Sequence, residues 1–274
     1  MTVKGMLTLM LLGCFSAGNA QVRNEVIKQK IESYIFKPKE LPPSDANLKK
    51  LKMPEGFVVT RFAEDLGKPR MLRTTDNGTV YVTDRDSGIV TMLRDTDKDG
   101  KADVKKVVFR KEKVHGIEIR NDDIYLITVE QVFKGKIQKD GSFHSIKTIV
   151  DGLPDGGQHA NRSIKIGPDN MLYITVGSTC NACEETRKES ATIIQTDLAG
   201  GNRSIFATGL RNTIGFDWHP QKKELYGFDH GIDWLSDDEQ REEFNKIVKG
   251  GNYGWPYVYE DGKANKADEP KGLT

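Results

Sequence analysis

Three imidazoles stand beside basic, amide and acidic side chains at comparable points of this chain, and they suit chemistry near neutral pH. His115 precedes Gly116, His159 opens the run His159-Ala160-Asn161-Arg162, and His230 follows Asp229, downstream of Arg211-Asn212. Imidazole accepts or gives a proton without extreme tuning, because its unperturbed pKa lies near neutrality. Guanidinium and amide groups beside it can stabilise developing negative charge and orient a polar ligand. Any one of these side chains alone reads as a solvated loop residue. Their recurrence points to a shared polar site.

Two other sets carry possible chemistry. The run from Asp95 to Asp103 reads D-x-D-x-D-G-x-x-D, with Asp95, Asp97, Asp99 and Asp103 as oxygen ligands and Gly100 at the sharp turn. An EF-hand-type loop wraps calcium in this way. Lys106 stands where the closing bidentate glutamate belongs, so an aspartate-rich turn is an equal reading, and any calcium here would be structural. Cys180 and Cys183 form a C-x-x-C pair. Haem attachment would need His after the second cysteine, where Glu184 stands, and zinc would need two more ligands at matching spacing. A local disulfide is the expectation in an oxidising compartment, and a redox-active pair is the alternative.

The elements that must position these residues show themselves as a repeat. Four segments share a short strand, a turn, and a second strand with tyrosine: residues 70–82, 116–127, 163–174 and 215–227. Their turns are Asp76-Asn77-Gly78, Asn121-Asp122-Asp123, Pro168-Asp169-Asn170 and Pro220-Gln221-Lys222, residue types that close hairpins. The tyrosines fall at 81, 125, 173 and 226, a spacing of 44, 48 and 53 residues. Such a period, with about four short strands per unit, marks a β-propeller blade. The fold class is therefore all-β, a propeller with about four blades in this chain. If the first strand of each unit is innermost, the loops leading into it and the residues leaving the second strand share one end of the channel. That end gathers Arg70, His115, His159–Arg162 and Arg211-Asn212 with Asp84-Arg85, Glu130, Ser178 and Asp229-His230.

Outside the repeat, Lys4, an apolar run from Met6 to Phe15 and the small residues through Ala20 make residues 1–20 an expected signal peptide. Leu11-Leu12-Gly13-Cys14 leaves a second reading, a lipoprotein signal with a lipid anchor at Cys14. Either way the chain is expected to be exported, periplasmic or secreted. Residues 21–55 form a polar, lysine-rich lead with a possible helix at Asn24–Tyr34; residues 56–260 form the propeller and 261–274 a polar linker. A net charge of +1, from 41 basic and 40 acidic residues, gives no case for nucleic acid as a partner.

Three motifs resemble those of the glucose/sorbosone dehydrogenase family, soluble six-bladed propellers. They are Gly156-Gly157-Gln158-His159 through Ile166-Gly167-Pro168-Asp169; Gly209-Leu210-Arg211-Asn212; and Asp229-His230-Gly231-Ile232 leading to Gly250-Gly251-Asn252-Tyr253-Gly254-Trp255-Pro256. The resemblance implies oxidation of an aldose or related sugar, with hydride passing to pyrroloquinoline quinone and calcium bound to the quinone. It implies His159 as general base, Arg211 as the group that stabilises charge on the quinone, and Asn212, Arg162 and His115 as cofactor contacts. Carbonyls of Gly231 and Ile232 match the quinone-linked calcium; Glu243 and Asp238 match a separate structural calcium site. An external quinone or cytochrome would accept the electrons. Gln158, Ile214 and Ile232 depart from one family branch and lie closer to the sorbosone type. The family carries two further blades with basic residues that grip the quinone carboxylates, and such blades are expected beyond Thr274. Two alternatives remain: a calcium-dependent lactonase using Glu130 and Asp229, and a propeller that only binds sugar or protein.

Overall fold

The computed structural model describes Lys39, residues 44–233 and residues 241–264. The signal sequence, Cys14, the helix expected at Asn24–Tyr34, Asp238 and most of the 261–274 linker lie outside the described residues. The chain divides into two units, residues 1–43 and 44–274, and the blades belong to the second. A single turn of helix, α1 (Asp45–Leu48), begins this unit, with the Ser44 hydroxyl accepting the Asn47 N–H at 3.2 Å.

Blade one is an antiparallel sheet of β1 (Pro69–Thr74), β2 (Val80–Asp84), β3 (Ile89–Arg94) and β4 (Val104–Arg110). Blade two repeats it with β5 (Gly116–Arg120), β6 (Asp123–Ile127), β7 (Val132–Ile137) and β8 (Phe143–Val150). Blade three uses β9 (Ile164–Ile166), β10 (Leu172–Val176), β11 (Thr192–Thr196) and β12 (Ser204–Thr208). A fourth sheet has β13 (Thr213–Trp218), β14 (Leu225–Asp229) and β15 (Glu243–Ile247), followed by a hairpin of β16 (Val258–Tyr259) and β17 (Lys263–Ala264). The propeller-type arrangement read from the repeat is thus present.

Burial explains which strand is which. The second strands β2, β6 and β10 are buried almost throughout, as expected of strands covered on both faces by neighbouring sheets. The outer strand β4 is largely exposed and carries Lys105 and Lys106. First strands meet across blades, β1 against β5 and β5 against β9. Between β1 and β5, Arg73 donates twice to Glu118 Oε2, at 3.0 and 2.9 Å. The first strand is therefore innermost, and the inbound loops share a rim with the second-strand exits.

The repeated tyrosine has a physical reason in two blades. Tyr81 Oη donates to the Gly141 carbonyl at 2.9 Å, in the outer hairpin of the next blade, and Tyr125 approaches Leu198 O in the same way at 3.5 Å. Tyr173 instead donates to Asp169 Oδ2 at 2.8 Å, and Tyr226 stacks on Phe244 at 5.4 Å. Three apolar clusters fill the seams between consecutive blades, around Ile117 and Tyr81, Ile164 and Leu172, and Ile193 and Phe216. Each fully buried aliphatic side chain contributes about 2 kcal/mol. The fourth sheet presents Phe228 and Phe244, both exposed, along a groove of about 640 Å³.

Candidate active site at the channel rim

The turn entering β13 is shaped by one carboxylate. Asp229 Oδ2 accepts the Arg211 N–H at 2.8 Å; Oδ1 accepts the Asn212 N–H at 2.8 Å and the Thr213 hydroxyl at 2.7 Å. Three consecutive residues are therefore fixed by a side chain leaving β14. Burial raises the Asp229 pKa to about 6, against these hydrogen bonds, which hold it down. Arg211 is 3 % exposed. Its Nε donates to Asn181 O at 2.9 Å, Nη2 to Asn181 Oδ1 at 2.6 Å and Nη1 to His230 O at 3.2 Å. Its guanidinium also lies 5.4 Å from the Trp255 ring centroid. The Gly250–Pro256 run thus backs the site: Trp255 packs with Ile232 and sits against Arg211.

His159 reaches the same place from the loop into β9. Its Nδ1 lies 2.8 Å from the Ser178 carbonyl, a pure acceptor, so Nδ1 carries the proton and Nε2 keeps its lone pair. A methyl group on Gly177 would lie 2.7 Å from His159 Cβ and 3.1 Å from Asn212 Oδ1, so only glycine lets the two side chains flank this strand end. Gly157 has a φ of 45°, and a Cβ there would meet the Thr179 carbonyl at 2.3 Å, which ties the glycine pair before His159 to the same wall. The Asn212 backbone N–H is taken by Asp229, whereas its side-chain amide has no hydrogen-bond partner among the described residues. His230 joins through its backbone N–H to Asn212 O at 3.4 Å, and Glu242 accepts the Gly231 N–H at 2.7 Å. His159, Arg211, Asn212, His230 and Gly231 therefore come together.

Two expected cofactor contacts do not join them as expected. Arg162 is wholly buried, and its guanidinium donates to four carbonyls: Pro154 at 3.0 Å, His159 at 2.8 Å, Val129 at 3.3 Å and Asn161 at 3.4 Å. Burial lowers its pKa to about 10, so it remains charged, as a clamp on the loop carrying His159 and with no face for a ligand. His115 is 1 % exposed, with Nδ1 2.8 Å from Arg162 O and Nε2 enclosed without a described partner. A ligand on the rim cannot touch that nitrogen unless the packing around it moves.

The metal expectations divide in the same way. Carboxylate oxygens of Asp95, Asp97 and Asp99 lie within 4.8 Å of one another. Asp103 is turned away: both its oxygens accept from Thr96, one of them the backbone N–H at 3.1 Å. Glu243, expected at a structural calcium site, accepts the Glu260 N–H at 2.7 Å and the Asn245 amide at 2.9 Å, and belongs to no acidic cluster among the described residues. Cys180 and Cys183 are joined in a disulfide. Sequence reasoning missed Asn181 and Glu242, whose roles depend on partners distant in the chain or on a turn not visible as a pattern.

The imidazoles differ electrostatically. Burial lowers the His159 pKa below 6.5, opposed by the Ser178 carbonyl and helped by the Arg211 charge; burial pushes His115 down to about 4. Both rings are neutral at pH 7. NMR titration of the ring protons is expected to give a midpoint below 6.5 for His159 and near 4 for His115. A His159 midpoint at or above 6.5 would mean that the burial and the Arg211 charge do not govern it.

Solved structures share this fold. The calcium structure of a Trichoderma reesei Carbohydrate-Active Enzymes Family AA12 protein superimposes with a TM-score of 0.62 at 20% identity, covering 71% of this chain and 57% of that one. The PQQ-bound form of aldose sugar dehydrogenase from Streptomyces coelicolor gives 0.61 at 22% identity, covering 75% and 67%. The fold is that of the propellers built by quinone-dependent sugar dehydrogenases and the AA12 family. Within that class, the chain belongs to the TrAA12-like family, which its residues 51–270 match. A protein of Borreliella burgdorferi is 30% identical over 229 residues, 78% of this chain and 59% of that protein. The chain thus spans between 57% and 67% of the length of these relatives.

Proposed function

We propose that the chain carries the His159 half of a quinone-dependent sugar dehydrogenase site. The observation that carries this is the His159 Nδ1–Ser178 carbonyl bond, which leaves Nε2 as a free base beside Asn212 and the Arg211 charge. The donor set fits a planar, anionic redox cofactor: one buried cation, one uncommitted amide and one neutral imidazole. Pyrroloquinoline quinone with calcium, when bound, supplies the hydride acceptor. His159 Nε2 takes the proton from the sugar hydroxyl. Asn212 orients the ligand plane, and Arg211 acts mainly by its charge, since three of its N–H groups are already taken. Gly231 and Ile232 would offer carbonyls to the quinone-linked calcium, and Asp95, Asp97 and Asp99 would hold a second, structural one.

The substrate is an aldose or related sugar, and an external quinone or cytochrome takes up the electrons. The disulfide and the N-terminal apolar run support a periplasmic or secreted protein, released after Ala20 or anchored at Cys14. The lactonase alternative is weakened by Asp229, whose buried carboxylate already accepts three hydrogen bonds, and by Glu130, which lines a pocket with Lys111 and Lys113 that does not include Asp229. The test is reconstitution of the full-length protein with calcium and pyrroloquinoline quinone, followed by dye reduction with a panel of aldoses. Turnover is expected. No change in cofactor absorbance and no turnover with any aldose would overturn the proposal; lactone hydrolysis with calcium alone would favour the alternative.

A further inference from the structure

We infer that Asn181, in the loop closed by the Cys180–Cys183 bridge, is the positioning residue for Arg211 and for the segment from Gly231 to Asp233; its effect on turnover rests on the function proposed above. One side chain and its own carbonyl do the holding. Asn181 O accepts Arg211 Nε at 2.9 Å, Oδ1 accepts Arg211 Nη2 at 2.6 Å and the Asp233 N–H at 2.9 Å, and Nδ2 donates to Asp233 O at 3.3 Å. The Asp233 carboxylate forms an ion pair with Arg211 at 3.7 Å, beyond hydrogen-bond range, so the hydrogen bonds that aim the guanidinium come from Asn181 and the His230 carbonyl. Arg211 is a buried cation whose Nε and Nη2 are both aimed by one neutral residue.

The same loop holds the base. Ser178 O takes His159 Nδ1, Ser178 N donates to Arg211 O at 2.7 Å, and Thr179 O accepts the Gln158 N–H at 2.9 Å. Residues 177–191 contain no strand, so no sheet ladder fixes Asn181. Closure comes from the disulfide, from the Ser178 hydroxyl bonded to Cys180 O at 2.9 Å, and from Glu185, which accepts Thr179 N at 2.9 Å and its hydroxyl at 2.8 Å. The sulfurs are bonded to each other, so the proximity of Cys180, Cys183 and Glu185 is a staple and not a thiolate metal site. The bridge thus preorganises the amide that places Arg211.

The test uses the full-length protein with two readouts. Asn181→Ala is expected to lower kcat about 10-fold with the sugar KM little changed, and to speed solvent exchange of the Arg211 Nε–H, followed by NMR without cofactor. Asn181→Asp keeps an acceptor oxygen and is expected to restore most of both; it also serves if the alanine variant fails to fold. Reduction by dithiothreitol breaks the S–S bond, yields two cysteine thiols and leaves the reagent as its cyclic disulfide, a balanced transfer of two electrons and two protons. It is expected to produce the same fall, reversed on reoxidation, while a Cys180→Ser/Cys183→Ser double variant no longer responds. Wild-type kcat and unchanged Arg211 exchange in Asn181→Ala would overturn the inference. Absence of turnover in the wild type would instead count against the proposed function, and the exchange readout would still decide whether Asn181 places Arg211.

Discussion

Replacing His159 with glutamine is expected to lower kcat for sugar oxidation by on the order of 10²–10⁴-fold, the usual contribution of a positioned general base. Glutamine keeps most of the bulk beside Gly177 and can still donate an amide N–H to the Ser178 carbonyl. What it lacks is a nitrogen that accepts a proton near neutral pH. The wild-type ring is suited to the task for two reasons. The Ser178 carbonyl fixes the proton on Nδ1, and the pKa is lowered by burial and by Arg211, so the base is already neutral at working pH. The wild-type rate should therefore be flat above neutrality and fall on the acid side, with a midpoint below 6.5. The residual rate of His159→Gln should lose that limb. His159 is half-buried and outside the apolar clusters, so thermal stability should change little. Steady-state dye reduction across pH decides this: a variant within threefold of wild type would remove His159 from the base role.

The architecture was legible because it repeats. Tyr81, Tyr125, Tyr173 and Tyr226 mark the second strand of each blade, and the alternation around them is a local property of the chain. Three of the four turns were legible for the same reason: Gly78, Asn121 and Asn170 take positive φ where their types tolerate it. In the fourth, the left-handed residue is Lys223, one beyond the expected turn, after His219 Nδ1 collects the N–H groups of Gln221 and Lys222. The site was legible only in part. His159, Arg211 and Asn212 stand in motifs, but which side of the packing a side chain takes is a property of the folded seam. Arg162 sits in the same motif as His159, yet its guanidinium is taken up by backbone carbonyls. Asp103 fits the calcium spacing, yet Thr96 captures it. Asn181 has no motif of its own, because its partners lie 30 and 52 residues away.

Arg162 is where the difference between motif and role has its largest consequence for stability. Replacing it with leucine removes a side chain that is 0 % exposed and reaches four backbone carbonyls, those of Pro154 and His159 most closely. Each buried carbonyl left without a donor costs about 1–3 kcal/mol. Against this, the variant no longer has to bury a cation, and no side-chain carboxylate hydrogen-bonds Arg162 among the described residues, so part of the loss is recovered. A net destabilisation on the order of 3 kcal/mol follows, a fall in Tm of roughly 6–12 °C for a domain of this size. Arg162→Lys should fall between, since one ammonium keeps the charge but cannot span carbonyls contributed by separate loops. Activity should drop as well, because Pro154 and His159 bound the segment that presents the base. Circular dichroism melting of the three proteins, with dye reduction below their transitions, separates the two effects. An unchanged Tm in Arg162→Leu would mean that water or other donors satisfy the carbonyls, and that the clamp is not what holds the His159 loop.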